Sequence, residues 1–267
     1  MSDNVQLPRG VDPTIPSTAR MYDYLIGGKD HLAVDRETAD RLIEQLPDIS
    51  SLAKANRAFM QRAVRHLTAE CGVRQFIDVG TGIPAAGNVH EIAHPIAPDA
   101  RIVYVDHDAV TLAHAEALLS HHDANAISID ADMRHPEQIL RHRRVRELID
   151  FTEPVAVLFV AILHFATDAD DPARIVTCFR EVMAPGSYVA LSHVSYGTHD
   201  HAAVDEAAAV YDRATSSITP RTRGQIQHLF DGFALVEPGL VDVSRWRPEA
   251  ATAETGLQVL AGVGRLP

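Results

Sequence analysis

The run Phe76-Ile77-Asp78-Val79-Gly80-Thr81-Gly82 constrains the fold of this chain more than any other stretch. Its apolar residues read as a buried strand that ends in a carboxylate. The alternate glycines then allow a sharp strand-to-helix turn, where backbone N–H groups can approach a ligand that any Cβ would hold away. A short helix is expected from about Ala86. A second strand, Arg101-Ile102-Val103-Tyr104-Val105, ends in Asp106, which lies 28 positions after Asp78. That spacing suits one strand, one crossover helix and the end of the next strand, where an acid can accept both ribose hydroxyls of a nucleoside. A third acidic end follows at Ala126-Ile127-Ser128-Ile129-Asp130-Ala131-Asp132-Met133. There Asp132 can accept from an adenine amino group while Met133 packs on the ring. Loops are often acidic for no ligand's sake, but three strands in succession finishing in carboxylates point to one shared site.

Around this core the hydrophobic pattern alternates. Amphipathic stretches at Asp35 to Leu46 and Ser50 to Glu70 precede the first strand, the second with Leu52, Phe59, Met60, Ala63, Val64 and Leu67 on one stripe. From about Arg74 to His193, strands alternate with helices at about Asp108 to Ser120, Pro136 to Ile149 and Pro172 to Met183. The fourth and fifth strands are Pro154 to Val160 and Gly186 to His193. Such alternation implies a parallel sheet with right-handed crossovers. Helical stretches at His201 to Ala214 and Thr222 to Phe230 follow, then two strands at Gly232 to Val236 and Gly256 to Val263, joined without a crossover helix and so antiparallel. The expected organisation is an irregular tail over 1–16, an N-terminal helical extension over 17–72 that can fold over the site, and a main domain over 73–267. Within the main domain, 197–231 forms a helical wall of the pocket.

The 267 residues are 46% hydrophobic, enough to bury a sizeable core. With 24 basic against 36 acidic residues the net charge is −12, which repels phosphate backbones and anionic membranes, so no nucleic acid or membrane partner is expected. Cys71 and Cys178 have no metal spacing, and no apolar run reaches the roughly 18 residues of a membrane span. The N-terminus lacks the basic start and apolar stretch of a signal peptide. The chain reads as soluble and cytoplasmic.

These residues resemble the class I S-adenosylmethionine-dependent methyltransferases. More closely, the chain is similar to an actinobacterial family of candidate S-adenosyl methyltransferases formerly classed as a domain of unknown function. The closer resemblance is carried by Pro16-Ser17-Thr18-Ala19-Arg20-Met21-Tyr22-Asp23-Tyr24-Leu25-Ile26-Gly27-Gly28-Lys29-Asp30 and by Asp78 to Gly82 with Gly87-Asn88-Val89-His90-Glu91. Val105-Asp106-His107-Asp108, Glu237-Pro238-Gly239-Leu240-Val241 and Trp246-Arg247-Pro248 complete it. It implies a doubly wound, mostly parallel α/β sheet of seven strands, Rossmann-like, with an antiparallel last strand. It also implies the cofactor S-adenosyl-L-methionine and a small-molecule methyl acceptor. The cofactor-binding residues it implies are Asp78, Gly80, Thr81, Gly82, Asp106, His107, Asp132, Met133 and Ala161. Arg20, Tyr22 and Lys29 would reach across the cofactor carboxylate or the acceptor, or else form only a capped helix and a glycine turn. His164, just past the fourth strand, is placed to act as general base, or to pack under the cofactor; His193 and Tyr196 are weaker candidates. Pro84 stands where many methyltransferases carry a third loop glycine.

Two other chemistries compete. His90-Glu91-Ile92-Ala93-His94 matches H-E-x-x-H, the zinc metalloprotease pattern, although Pro95 ends the helix at once. Gly80, Gly82 and Ala85 also fit the G-x-G-x-x-A loop of nicotinamide-dependent oxidoreductases. Against that, Asp78 precedes the first glycine and Pro84 removes an N–H from the turn. A non-catalytic protein that only binds the cofactor is a further alternative. No metal is expected.

Overall fold

The computed structural model describes residues 11–119, 125–196, 201–248 and 258–267. The first ten residues of the expected tail, residues 197–200 of the expected wall and the start of the expected strand at Gly256 lie outside them. Three helices come first: α1 (Thr18–Ile26), α2 (Ala33–Gln45) and α3 (Ile49–Ala69). The alternating part follows as β1 (Gln75–Val79), α4 (Val89–Ala93), β2 (Arg101–Asp106), α5 (Ala109–Leu119), β3 (Ala126–Asp130), α6 (Pro136–Arg141) and α7 (Arg143–Leu148). Then come β4 (Ala156–Val160), α8 (Pro172–Arg180), β5 (Tyr188–Ser195), α9 (His201–Ala208), α10 (Arg223–His228), β6 (Ala234–Leu235), β7 (Val241–Asp242) and β8 (Gln258–Arg265).

The sheet order is β3-β2-β1-β4-β5-β8-β6, with β7 paired to β8. Strands β1 to β5 are parallel, and β8 runs antiparallel to β5, β6 and β7. The expected mostly parallel sheet is therefore present, with eight strands in place of seven. The added strand is Val241–Asp242, two residues long and too short to leave a periodic signal. The helix expected over Pro136 to Ile149 is broken at His142, whose extended backbone (ψ 130°) ends α6 and whose ring caps Arg144 N–H in α7.

Every residue of β1 is buried, as a central strand covered on both faces requires. One face is covered by α3. Its apolar stripe, Leu52, Phe59, Met60, Ala63, Val64 and Leu67, packs in one cluster with Phe76, Ile102, Leu158 and Trp246. The opposite face packs Ile77, Val103 and Phe159 against Ile139, Val145, Ile175 and Phe179. Trp246 is fully buried edge-on to Phe59 (5.5 Å), and Arg62 of α3 donates to the carbonyls of Trp246 and Val243. The sequence block around Trp246 thus joins the last part of the chain to α3, away from the glycine loop.

Polar contacts set α1 over the carboxyl ends of the parallel strands. Asp35, fully buried, pairs with Arg20 at 2.6 Å and accepts the N–H groups of Ser17 and Leu32. Ser17 Oγ in turn donates to Asp108 Oδ2 at 3.1 Å, just beyond β2. Among the described residues, no helix is long and apolar enough to cross a membrane.

Candidate functional site

The carboxyl ends of β1 to β4, with α1, α3 and the segment after β5, enclose a cavity of about 520 Å³, within the usual size of ligand pockets. Asp78, Gly80, Thr81, Gly82, Asp106, His107, Asp132, Met133, Ala161, His164, Arg20 and Tyr22 all line it. Lys29 does not. Gly27, with φ 91°, ends α1 in the left-handed conformation, and the chain beyond it leaves Lys29 exposed and outside the cavity.

At the end of β1 the glycine turn has the geometry its sequence implies. Gly80 has φ 74°, and a Cβ there would come within 2.2 Å of the Ile162 side chain. Its N–H and that of Thr81 both go to the Val105 carbonyl, at 2.8 and 3.2 Å. Gly82 N–H donates to Asp106 Oδ2 at 2.9 Å, while the N–H groups of His107 and Asp108 donate to Oδ1 at 2.8 and 3.0 Å. These three bonds leave the Asp106 carboxylate at least one free lone-pair site of about four. Burial raises the Asp106 carboxyl above the ordinary range, against the pull of those N–H groups.

Asp78 is pushed up to about 6, first by burial and also by Asp106; Arg57 and the Thr81 hydroxyl oppose this. Asp132 behaves otherwise. Burial acts to raise it, but Arg134, bonded to both its oxygens, takes it below the ordinary value. Met133 is 8% exposed.

Two α3 residues not expected from the sequence join the site. Arg57 donates to the Ala85 carbonyl (2.7 Å) and Asn88 Oδ1 (2.8 Å), pinning the loop after Gly82, while its buried Nε has no partner among the described residues. Asn56 accepts from Ser192 Oγ at 2.6 Å and donates to the Tyr22 hydroxyl, which donates to the Ala53 carbonyl. Ser192 Oγ also accepts the N–H of Ala161, a non-glycine residue held at φ 54°. Such a backbone persists only where its surroundings fix it. A signal was available: Asn56 is a polar residue embedded in the apolar stripe of α3.

His164, 4% exposed, lies on a 3-10 turn at Leu163–Phe165. Burial pushes it well below the usual imidazole value, with His193 and Arg221 adding to the effect. His193 itself is lowered to about 4, mainly by burial. Arg221 donates to His193 Nε2 at 3.0 Å, so the proton of that ring sits on Nδ1 and goes to the Val194 carbonyl. Tyr196 lies outside the cavity lining and donates to Asp205.

The H-E-x-x-H residues have framework roles. His90 Nδ1 lies 2.6 Å from the Tyr104 hydroxyl, His94 Nε2 lies 2.9 Å from the Ala100 carbonyl, and Glu91 accepts the N–H groups of Gly87 and Asn88 at the start of α4. Among the described residues, no group of three or more His, Cys, Asp or Glu side chains could hold a metal ion.

A mostly parallel sheet with a glycine turn after β1 and carboxylates at or just past the ends of its first three strands defines a Rossmann-like protein of the methyltransferase type. The chain belongs to the S-adenosyl methyltransferase family, whose sequence profile matches residues 4–267. It is similar to a candidate methyltransferase from Thermobifida fusca YX, with 38% identity, TM-score 0.91 and coverage of 98% of this chain and 99% of that one. A DUF574 family protein from Streptomyces avermitilis MA-4680 is 38% identical, with TM-score 0.89 over 96% of this chain and 99% of that one. An N-methyltransferase from Bradyrhizobium japonicum WM9 shares the fold at 14% identity and TM-score 0.50, over 82% and 99% of the two chains. No curated protein matches the chain.

Proposed function

We propose that this chain is an S-adenosyl-L-methionine-dependent methyltransferase acting on a small-molecule acceptor. One observation carries the reading: Asp78, Asp106 and Asp132 share one cavity in which the N–H groups of Gly80, Thr81 and Gly82 are already used within the protein. Pro84 adds no N–H. A dinucleotide pyrophosphate needs such donors and avoids carboxylates, whereas a ligand with an amino group, a sulfonium and ribose hydroxyls suits carboxylates.

In this reading Asp106 accepts the ribose hydroxyls, and Asp132 with Met133 and His107 holds the adenine. Asp78 faces the amino group, and the free Nε of Arg57 the carboxylate, of the methionine part. Thr81 and Ala161 line the middle, while Arg20 and Tyr22 hold the helical side in place through Asp35 and Asn56. Residues 17–72 then cover the cofactor, 73–267 supply its binding sheet, and 197–231 form the acceptor wall. When bound, the cofactor supplies a methyl group already activated toward displacement, which leaves the protein to align the acceptor and exclude water. His164, neutral at pH 7, stands at the β4 end as the group that takes a hydrogen bond from the acceptor and serves as its general base.

Crystals grown with S-adenosylhomocysteine test the assignment. Density is expected along the β1 to β4 ends with the ribose on Asp106; a ligand bound elsewhere, with Asp106 untouched, would contradict it.

A further inference from the structure

The helical side of the cavity is apolar, lined by Leu25, Ile49, Leu52, Met60, Val204 and Phe165 among others. Its charged and polar groups are largely spent on the protein itself. Arg20 is bound to Asp35, Asp23 accepts the Asp30 N–H, Asp12 holds Thr14, and both Asn56 and Tyr22 are bonded at each end. Arg221 lies 4% exposed behind His193 and on Asp168.

With Arg57 Nε assigned above to the cofactor carboxylate, two uncharged polar groups stand out among the described residues. His164, more than nine-tenths buried, has Nδ1 without a hydrogen-bond partner among the described residues. Buried polar atoms of this kind are rare in native structures and ask for a reason. Tyr211 lines the same cavity, and its hydroxyl makes no hydrogen bond among the described residues; burial, with Tyr22 nearby, holds the phenol above its usual value and so as a neutral O–H. Phe165 stands beside both, with its ring 4.5 Å from that of His164 and 6.3 Å from that of Tyr211.

We infer that His164 and Tyr211 bind the hydroxyl of an uncharged, mostly apolar acceptor, with Phe165 and the α1 and α3 side chains enclosing its ring or chain. A phenol O–H donates, a neutral imidazole accepts, and a hydroxyl is the small group that can answer both at once. A carboxylate or phosphate would meet an imidazole lone pair, with Arg57 already given to the cofactor and Arg221 to Asp168, and its burial there would go uncompensated. An ammonium would have one imidazole for its three N–H donors. Burial, with His193 and Arg221 close by, keeps the resting imidazole neutral, so its lone pair is available to accept.

This inference rests on the methyltransferase reading for the other half of the cavity, and its test separates the two. Binding of 2-naphthol, 2-naphthoate and 2-(aminomethyl)naphthalene is measured by calorimetry and saturation-transfer NMR on the full chain with S-adenosylhomocysteine present. Naphthol is expected to bind at least tenfold more tightly than either charged probe, with the preference falling at least fivefold in Tyr211→Phe and in His164→Asn. If His164→Asn fails to fold, Tyr211→Phe decides alone. Tighter binding of either charged probe, a naphthol preference unchanged in Tyr211→Phe, or no binding of any probe by protein that holds S-adenosylhomocysteine would overturn the acceptor class and leave the cofactor site standing. Naphthol binding intact with no affinity for S-adenosylhomocysteine would instead overturn the methyltransferase reading.

Discussion

Asp106 and Asp78 end adjacent strands, yet their environments ask different things of a ligand. Asp106 is held by three backbone N–H groups and keeps room for hydroxyl donors. Asp106→Ala should weaken cofactor binding by about 2 to 3 kcal/mol, the range for hydrogen bonds to a charged group, with the fold kept. Calorimetry on the variant checks this, and an unchanged affinity would remove Asp106 from the site. Asp78 carries a stability cost instead. Its carboxyl rises from 3.8 to about 6 on folding, so the folded state favours the protonated form. That contribution is fully present below pH 3.8 and is lost as pH rises through about 6, a difference on the order of 3 kcal/mol. Asp78→Asn, which keeps the shape without the charge, should therefore match the wild type near pH 3.8 and become progressively more stable than it between pH 4 and pH 6.5. Melting temperatures across pH 4 to 8 measure the gap; an Asn variant less stable at pH 8 would show that the carboxylate is compensated in the free protein.

At the scale of elements, the strands with their acidic ends were readable because a buried parallel strand writes itself as a short apolar run, and Asp78, Asp106 and Asp132 close three of them. The glycine turn was readable from Gly80 and Gly82 for the same local reason. What escaped the sequence depends on long-range contact: Arg57 and Asn56 reach the site from α3, Tyr211 from the 3-10 turn at Ala209–Arg213, and Lys29 misses it because of a single left-handed glycine. The two-residue β7 exists only through its pairing with β8. In helix α4, His90, Glu91 and His94 match a zinc pattern by spacing while bonding Tyr104, the helix start and Ala100. Chelator-treated protein should accordingly keep its melting temperature and cofactor affinity, and elemental analysis should find far less than one zinc per chain. Stoichiometric zinc lost together with activity would restore the metalloprotease reading.

Across the whole molecule, α3 is both wall of the cavity and cover of the sheet, so residues 17–72 should not unfold apart from the rest. The chain's one tryptophan, Trp246, packs on Phe59 of α3 and reports that docking. Its fluorescence and the far-ultraviolet circular dichroism should change in a single coincident transition with denaturant, whereas an earlier fluorescence change would mark the helices as a separable cap. In the proposed reading, an acidic sheet end joined to an apolar helical wall holds a cationic nucleoside cofactor beside a neutral acceptor. Calorimetric titration of the intact chain with S-adenosyl-L-methionine, set beside NAD and NADP under the same conditions, tests that most directly. One site per chain for S-adenosyl-L-methionine, with no comparable heat from either dinucleotide, is expected; tight dinucleotide binding with none for S-adenosyl-L-methionine would contradict it.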